Sequence, residues 1–318
     1  MTTTMTMKKN QIKIDFKEIC KYTQAELKKF VITNLSEIYG KHNICAAPSP
    51  AGFVFARGTF PVLLVAHLDT VHKEPVKCII QSKDHNIISS PQGIGGDDRC
   101  GVYMIFKIIE KYHCSVLFCE DEEVGGLGAR AFVQSTNNII PLTFNYIMEF
   151  DRMNANDAVF YDCYNEEFEK FITKSYYKTA FGTFSDISEI APEFGVAAVN
   201  LSCGYYNAHT TKEYVVMSEM EESIEAAIDI LDRTNSETDI YEYVESNYRY
   251  NDLDYVHGYD YLDKENKADE IDCYLIEYLD GKFDEKYAYS IEAAVGFFLM
   301  THPDLRYSDI VSIDKEEI

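Results

Sequence analysis

Four short apolar runs, each leading to a carboxylate or a histidine, constrain this chain more than any other feature. PVLLVA (61–66) runs into His67-Leu68-Asp69, SVLFCE (115–120) into Asp121-Glu122-Glu123, and NYIMEF (145–150) into Asp151, while VAAVNLS (196–202) is soon followed by His209. Between and after them, apolar residues recur at helical spacing from Gly101 to Lys111, Gly128 to Gln134 and Ser218 to Leu231. Short buried strands alternating with helices predict an α/β three-layer sandwich, with a mostly parallel mixed sheet covered on both faces. Ligands of such sheets bind beyond the carboxyl ends of the strands. Every candidate ligand in this chain falls at or just past such an end.

The flanking segments are read the same way. Residues 15–39 carry apolar positions at helical spacing, with Gly40 as the stop, and NICAAPSPAGFVFARG (43–58) reads as a hairpin. The polar run Arg233-Thr234-Asn235-Ser236 marks a boundary. Residues 1–236 are expected to form the catalytic domain, and 237–318 an acidic, Tyr-rich extension. That extension holds about 22 acidic against 7 basic residues, so most of the chain's net charge of −24 lies there. Two amphipathic helices are expected in it, near 267–280 and 286–301, with Gly281 between them and Pro303 ending the second.

Charge and composition exclude some functions. A surface this acidic argues against phosphate-mediated nucleic-acid binding. No stretch approaches the roughly 18 apolar residues of a membrane span, and residues 1–16 read as a short frayed tail rather than a secretory signal. Nine cysteines without a CxxC pair suit reduced, buried thiols in the cytoplasm. Cys100 and Cys119 in particular read as small core residues. Homo-oligomerisation is left open.

The chemistry lies in five places. In His67-x-Asp69, extended chain points both side chains the same way, so Asp69 can hold one ring nitrogen while the other binds a metal; such a pair also arises by chance. In Gly93-Ile94-Gly95-Gly96-Asp97-Asp98-Arg99-Cys100-Gly101 the glycines permit close backbone approach or positive φ. Two aspartates there would repel a pyrophosphate but could bridge two cations, or one could cap the following helix. Glu120-Asp121-Glu122-Glu123 gathers four carboxylates at one strand end, which repel unless something positive sits among them; a solvated acidic loop is the alternative. For Asp151 and His209, each taken alone, a core or surface role is more common than a ligand. The order His, Asp, Glu-Glu, Asp, His makes the set specific.

With these motifs the sequence resembles the co-catalytic zinc exopeptidases, the M20, M28 and M42 clans of aminopeptidases, dipeptidases and related amidohydrolases. HLDTVH resembles their first-histidine motif. GGDDRCG is similar to the GADDKAG of peptidase T-like members, with Arg99 in place of Lys, and EDEEVGGLGA resembles their DEE-x-G signature. The resemblance spans about residues 55–230. It implies two divalent ions, Zn first with Co or Mn also suited to such donors. It places His67 and Asp151 on one ion, Glu123 and His209 on the other, and Asp97 bridging. Glu122 would be the general base acting on a metal-bridging water, Asp69 the orienting residue, and the peptide bond after Asp97 cis. One departure is plain: residues 152–208 are too few to hold the lid domain that typical M20 members insert there, so the layout is closer to the single-domain M28 and M42 arrangement.

The expected function is therefore hydrolysis of small peptides by an aminopeptidase or dipeptidase. The alternatives are a deacylase of N-acyl amino acids or related small amides, and a non-catalytic metal-binding scaffold. Tyr205, Tyr206 and Asn207, beside His209, and Ser185 and Asp186, in a polar turn, are candidate substrate-binding residues. Packing for the tyrosines and helix capping for Ser185 or Asp186 are the alternatives. His72 reads as a loop residue.

Overall fold

A computed structural model describes residues 14–136, 143–245, 272–288 and 310–316. From the N-terminus the elements are α1 (Phe16–Lys21), α2 (Gln24–Tyr39), β1 (Ile44–Ala46), β2 (Phe53–Ala56), β3 (Phe60–His67), β4 (Ile80–Gln81), β5 (Ile87–Ser89), α3 (Gly96–Ile109), β6 (Cys114–Cys119), α4 (Leu127–Thr136) and β7 (Tyr146–Arg152). There follow β8 (Asp157–Val159), α5 (Glu166–Ile172), β9 (Lys178–Ala180), α6 (Asp186–Phe194), β10 (Ala198–Ser202), β11 (Tyr205–Tyr206), β12 (Tyr214–Val216), α7 (Met217–Arg233), β13 (Asp272–Tyr278), β14 (Lys282–Ala288) and β15 (Ile310–Glu316).

The four apolar runs become β3, β6, β7 and β10, and these pair in parallel at the centre of a sheet ordered β1-β2-β6-β3-β7-β10-β8-β9. Their carboxyl ends therefore lie along one edge. Side chains of a strand alternate between faces, and both faces here are apolar. Val62, Leu64 and Ala66 of β3 join a core shared with α1, α2, α3 and α7, while Leu63 and Val65 join a second core shared with α4 and α6. Each fully buried aliphatic contributes about 1.5–3 kcal/mol. A one-residue slip would exchange the two sets, so burial holds the register that brings His67 opposite Cys119. Strands β11, β12, β5 and β4 form a separate small sheet.

The N-terminal periodicity holds two helices rather than one. Tyr22 is extended, and Thr23 starts α2 through a capping box with Glu26. The expected hairpin is present as antiparallel β1 and β2. The tail expected at the N-terminus lies outside the described residues, apart from Ile14, Asp15 and Phe16.

Contacts divide the chain into two compact units. One runs through Ala180 and resumes at Ser185–Val244; the other holds Phe181–Phe184 and the described residues from Glu245 onward. The first unit thus continues past Ser236. Tyr241 donates its backbone N–H to Asn145, accepts that of Ala197, and packs its ring on Tyr146, Phe168 and Phe171. The acidic extension corrects the expectation of helices. Within the described parts of 267–280 and 286–301, Asp272–Tyr278 and residues through Ala288 are strands, and β13 pairs antiparallel with both β14 and β15. Cys-Tyr-Leu-Ile is a β-favouring sequence, and Gly281, at φ 68°, makes the reversal between strands rather than between helices. The remainder of both predicted helices, and Pro303, lie outside the described residues.

Candidate metal centre

Strand ends and the turns after them deliver the site. His67 is the last residue of β3 and is fully buried. Its Nδ1 lies 3.2 Å from Asp69 Oδ1, which leaves Nε2 as the outward nitrogen. Nε2 lies 2.9 Å from Asp97 Oδ1 and 3.5 Å from Asp151 Oδ1. The other oxygen of Asp97 lies 3.1 Å from His209 Nε2, and Glu123 Oε2 lies 3.2 Å from that same nitrogen. Two donor sets result, His67–Asp97–Asp151 and Asp97–Glu123–His209, each with ligand atoms within 4.8 Å of one another, and they share Asp97.

Backbone geometry explains why these side chains converge. The Asp97–Asp98 peptide is cis, and both residues depart from helical φ/ψ inside α3. The pair then divides its work. Asp97 faces the histidines, while Asp98 accepts the N–H of Gly101 at 2.8 Å and that of His67 at 3.0 Å. Of the two readings of this segment, capping suits Asp98, while Asp97 is left facing both histidines. Gly101 must be glycine: a Cβ there would collide with the Phe150 carbonyl and the Asp98 carboxylate. Asp69 accepts the backbone N–H groups of Glu122 and Glu123, both at 3.0 Å, and so ties the acidic loop to the His67 segment. Arg99 donates to the carbonyls of Leu68, Asp69 and Tyr22.

The charges are unbalanced as they stand. Burial alone would push the His67 imidazole down, but Asp151, Asp69 and Asp97 around it raise it well above its ordinary value. His209 is pushed up to about 11 by its bonds to Asp97 and Glu123. Burial, reinforced by Asp97, raises Asp151 to about 6, and burial raises the Glu122 carboxyl well above the usual carboxylate range. Glu123 Oε1 is buried with no hydrogen-bond partner. A nitrogen-and-oxygen donor set with surplus negative charge and an orphaned buried carboxylate oxygen fits divalent cations.

Neighbouring residues sort by what they touch. The Tyr205 hydroxyl donates to Asp151 Oδ1 at 3.2 Å from a buried position, whereas Tyr206 donates to Glu219 and stacks on Tyr214. Asn207, exposed and at positive φ, donates to the Lys212 carbonyl. Ser185 is the N-cap residue of α6; its hydroxyl donates to Glu149 and lies 3.2 Å from Asp151 Oδ2. Asp186 is fully buried beside the Cys119 thiol, and burial pushes its carboxyl up to about 7. Cys100 and Cys119 are buried.

Several further polar residues line the site, of which Glu120 and His72 lie within the sequence motifs and the others do not. Asn200 accepts the Asp151 N–H at 2.8 Å and donates to its carbonyl at 2.9 Å. Glu149 is fully buried and sits two residues before Asp151, on the same face of β7. Lys28 and Glu120 form a buried pair at 2.8 Å. His72 pairs with Glu213. Glu149 also left a readable signal, because it shares the strand parity of Asp151 inside an otherwise apolar run.

No family model and no curated protein matches this sequence. Solved structures do. The chain is similar to the aminopeptidase PepT of Bacillus cereus, at 14% identity over 68% of this chain and 96% of that one, with a TM-score of 0.50. It is also similar to a TET aminopeptidase from a marine-sediment Thaumarchaeota archaeon, at 13% identity over 70% of this chain and 97% of that one, with a TM-score of 0.52. At such identity the likeness establishes the fold: the chain has the α/β architecture of these aminopeptidases. Among the described residues no helix is long and apolar enough to cross a membrane.

Proposed function

We propose that this chain is a dinuclear metal-dependent peptidase, acting as an aminopeptidase or dipeptidase on small peptides. The observation that carries the reading is the pair of donor sets sharing Asp97. His67 and Asp151 would hold one ion, Glu123 and His209 the other, and Asp97 both; zinc is the first expectation. Ions held there would polarise the scissile carbonyl and lower the pKa of water near them. Glu122, kept close by the Asp69 bonds to its loop, takes the proton of the attacking water on its carboxylate and returns it to the leaving amine. Asp69 fixes the His67 ring through Nδ1, and Tyr205 and Ser185 orient Asp151.

The aminopeptidases named above support the reading through their shared fold. The test is metal content by elemental analysis together with cleavage of a dipeptide and aminoacyl-amide panel, run beside N-acyl amino acids. Two ions per chain and cleavage of free-amine substrates are expected. Cleavage confined to the N-acyl series would move the assignment to a deacylase, and metal-loaded protein inert on every substrate would make it a scaffold.

A further inference from the structure

Glu213 is a fully buried carboxylate four residues beyond His209. Its Oε1 accepts the backbone N–H of Asp97 at 3.0 Å. Its Oε2 accepts the N–H of Gly95 at 2.9 Å and lies 2.7 Å from His72 Nε2. His72 in turn lies five residues past His67. One side chain therefore joins the three segments that carry His67, Asp97 and His209. The glycine turn is shaped to this arrangement. A Cβ on Gly93 would collide with the His72 ring, and one on Gly96 would lie 3.2 Å from Glu213 Oε1 and 2.8 Å from Tyr205 Cβ. The Glu213 N–H closes its own loop on the Thr210 carbonyl at 3.1 Å.

We infer that Glu213, backed by His72, is the positioning residue that sets the Asp97 carboxylate between the two ion sites. The inference rests on the metal reading given under Proposed function. Backbone N–H groups in a left-handed glycine turn form a concavity that holds an anion, and here the anion is internal. With its N–H pinned to Glu213, the Asp97 backbone cannot rotate, so its two oxygens keep facing His67 and His209. Groups that orient metal ligands from behind in this way typically affect metal affinity by roughly 10- to 100-fold.

The test is calorimetric titration of the metal-free full chain with Zn²⁺, and with Co²⁺ followed by its visible absorption. Glu213→Gln keeps the volume but cannot accept at both oxygens. His72→Leu removes one donor, and His72→Gln restores an N–H. Glu213→Gln and His72→Leu are expected to bind roughly 10- to 100-fold more weakly, with altered Co²⁺ bands, and His72→Gln is expected to recover most of the loss. Unchanged affinity and spectra in the first two would overturn the inference, as would a His72→Gln variant as weak as His72→Leu. Should Glu213→Gln fail to fold, the two His72 variants decide the matter. An unaltered chain that bound no metal would overturn both this inference and the metal reading. One that bound metal but cleaved no peptide would overturn only the proposed activity.

Discussion

Replacing Lys28 by methionine tests how the acidic loop is anchored. Lys28 Nζ donates to Glu120 Oε2 at 2.8 Å, to the Ala47 carbonyl at 2.7 Å and to Ser49 Oγ at 3.1 Å, so all three of its protons are used. Glu120 also accepts from Ser49 and from the Gly52 N–H at 3.0 Å. The two side chains are only 9% and 1% exposed. Removing one partner of such a pair strands a buried charge and costs about 3–5 kcal/mol. For a domain of this size that corresponds to a drop of about 6–20 °C in Tm. The effect depends on pH. In the unaltered chain burial pushes the Glu120 carboxyl up, but Lys28 and Ser49 prevail and hold it below its ordinary value. A depressed carboxyl stabilises the fold above the unfolded pKa of about 4.3, and that contribution is lost as pH falls through the folded value. In Lys28→Met burial would instead raise the folded pKa, so the variant gains stability as pH falls. The difference between the two chains is therefore largest near pH 7 and shrinks towards pH 4.5. Urea denaturation at both pH values measures it. A penalty under about 1 kcal/mol at pH 7, or one that ignores pH, would refute the buried-pair argument. Adding Glu120→Gln should recover most of the loss, because the stranded charge goes with it.

Glu122→Gln is expected to keep both ions but lose at least about 100-fold in kcat, since proton transfer contributes that much; turnover at the original rate would remove Glu122 from the mechanism. Asp97→Ala should release metal, and full occupancy by elemental analysis would contradict the bridging role. Gly101→Ala forces a methyl group against the Phe150 carbonyl and the Asp98 carboxylate. It should cost about 1–3 kcal/mol or more, and an unchanged Tm would show that α3 can shift away. A chain ending at Ser236 should melt well below one ending at Val244, because only the longer one keeps the Tyr241 ring on Tyr146, Phe168 and Phe171; equal Tm values would count against that packing.

The fold was legible where burial repeats along the chain. Leu63 and Val65 face one core, and Val62, Leu64 and Ala66 the other. A strand apolar on both faces has few homes besides the centre of a parallel sheet. The acidic segment was misread for the opposite reason. Tyr274, Ile276 and Tyr278 alternate over too short a stretch to tell period two from a helical stripe. Pairing with β14 across the Gly281 turn and with β15 decides the matter, and the second of these partners lies too far along the chain to leave a local trace.

The same division runs through the site. The candidate cation ligands are histidines and carboxylates at strand ends or in the turns between elements, and those that follow apolar runs are conspicuous. Residues that hold those ligands are ordinary in sequence. Glu213 follows Lys212 and belongs to none of the sequence motifs, yet it is fully buried. What could have exposed it is an accounting of donors. A glycine-rich turn before α3 leaves N–H groups without helical partners, and buried N–H groups are almost always satisfied. Gly95 and Asp97 therefore required an acceptor from elsewhere in the chain. Sequence can state that need but not its answer, because the carboxylate that meets it arrives from more than a hundred residues away. The proposed metal ligands are thus set by local chemistry, whereas their orientation is set by the tertiary fold, and substitutions at Glu213 and His72 probe the second without touching the first.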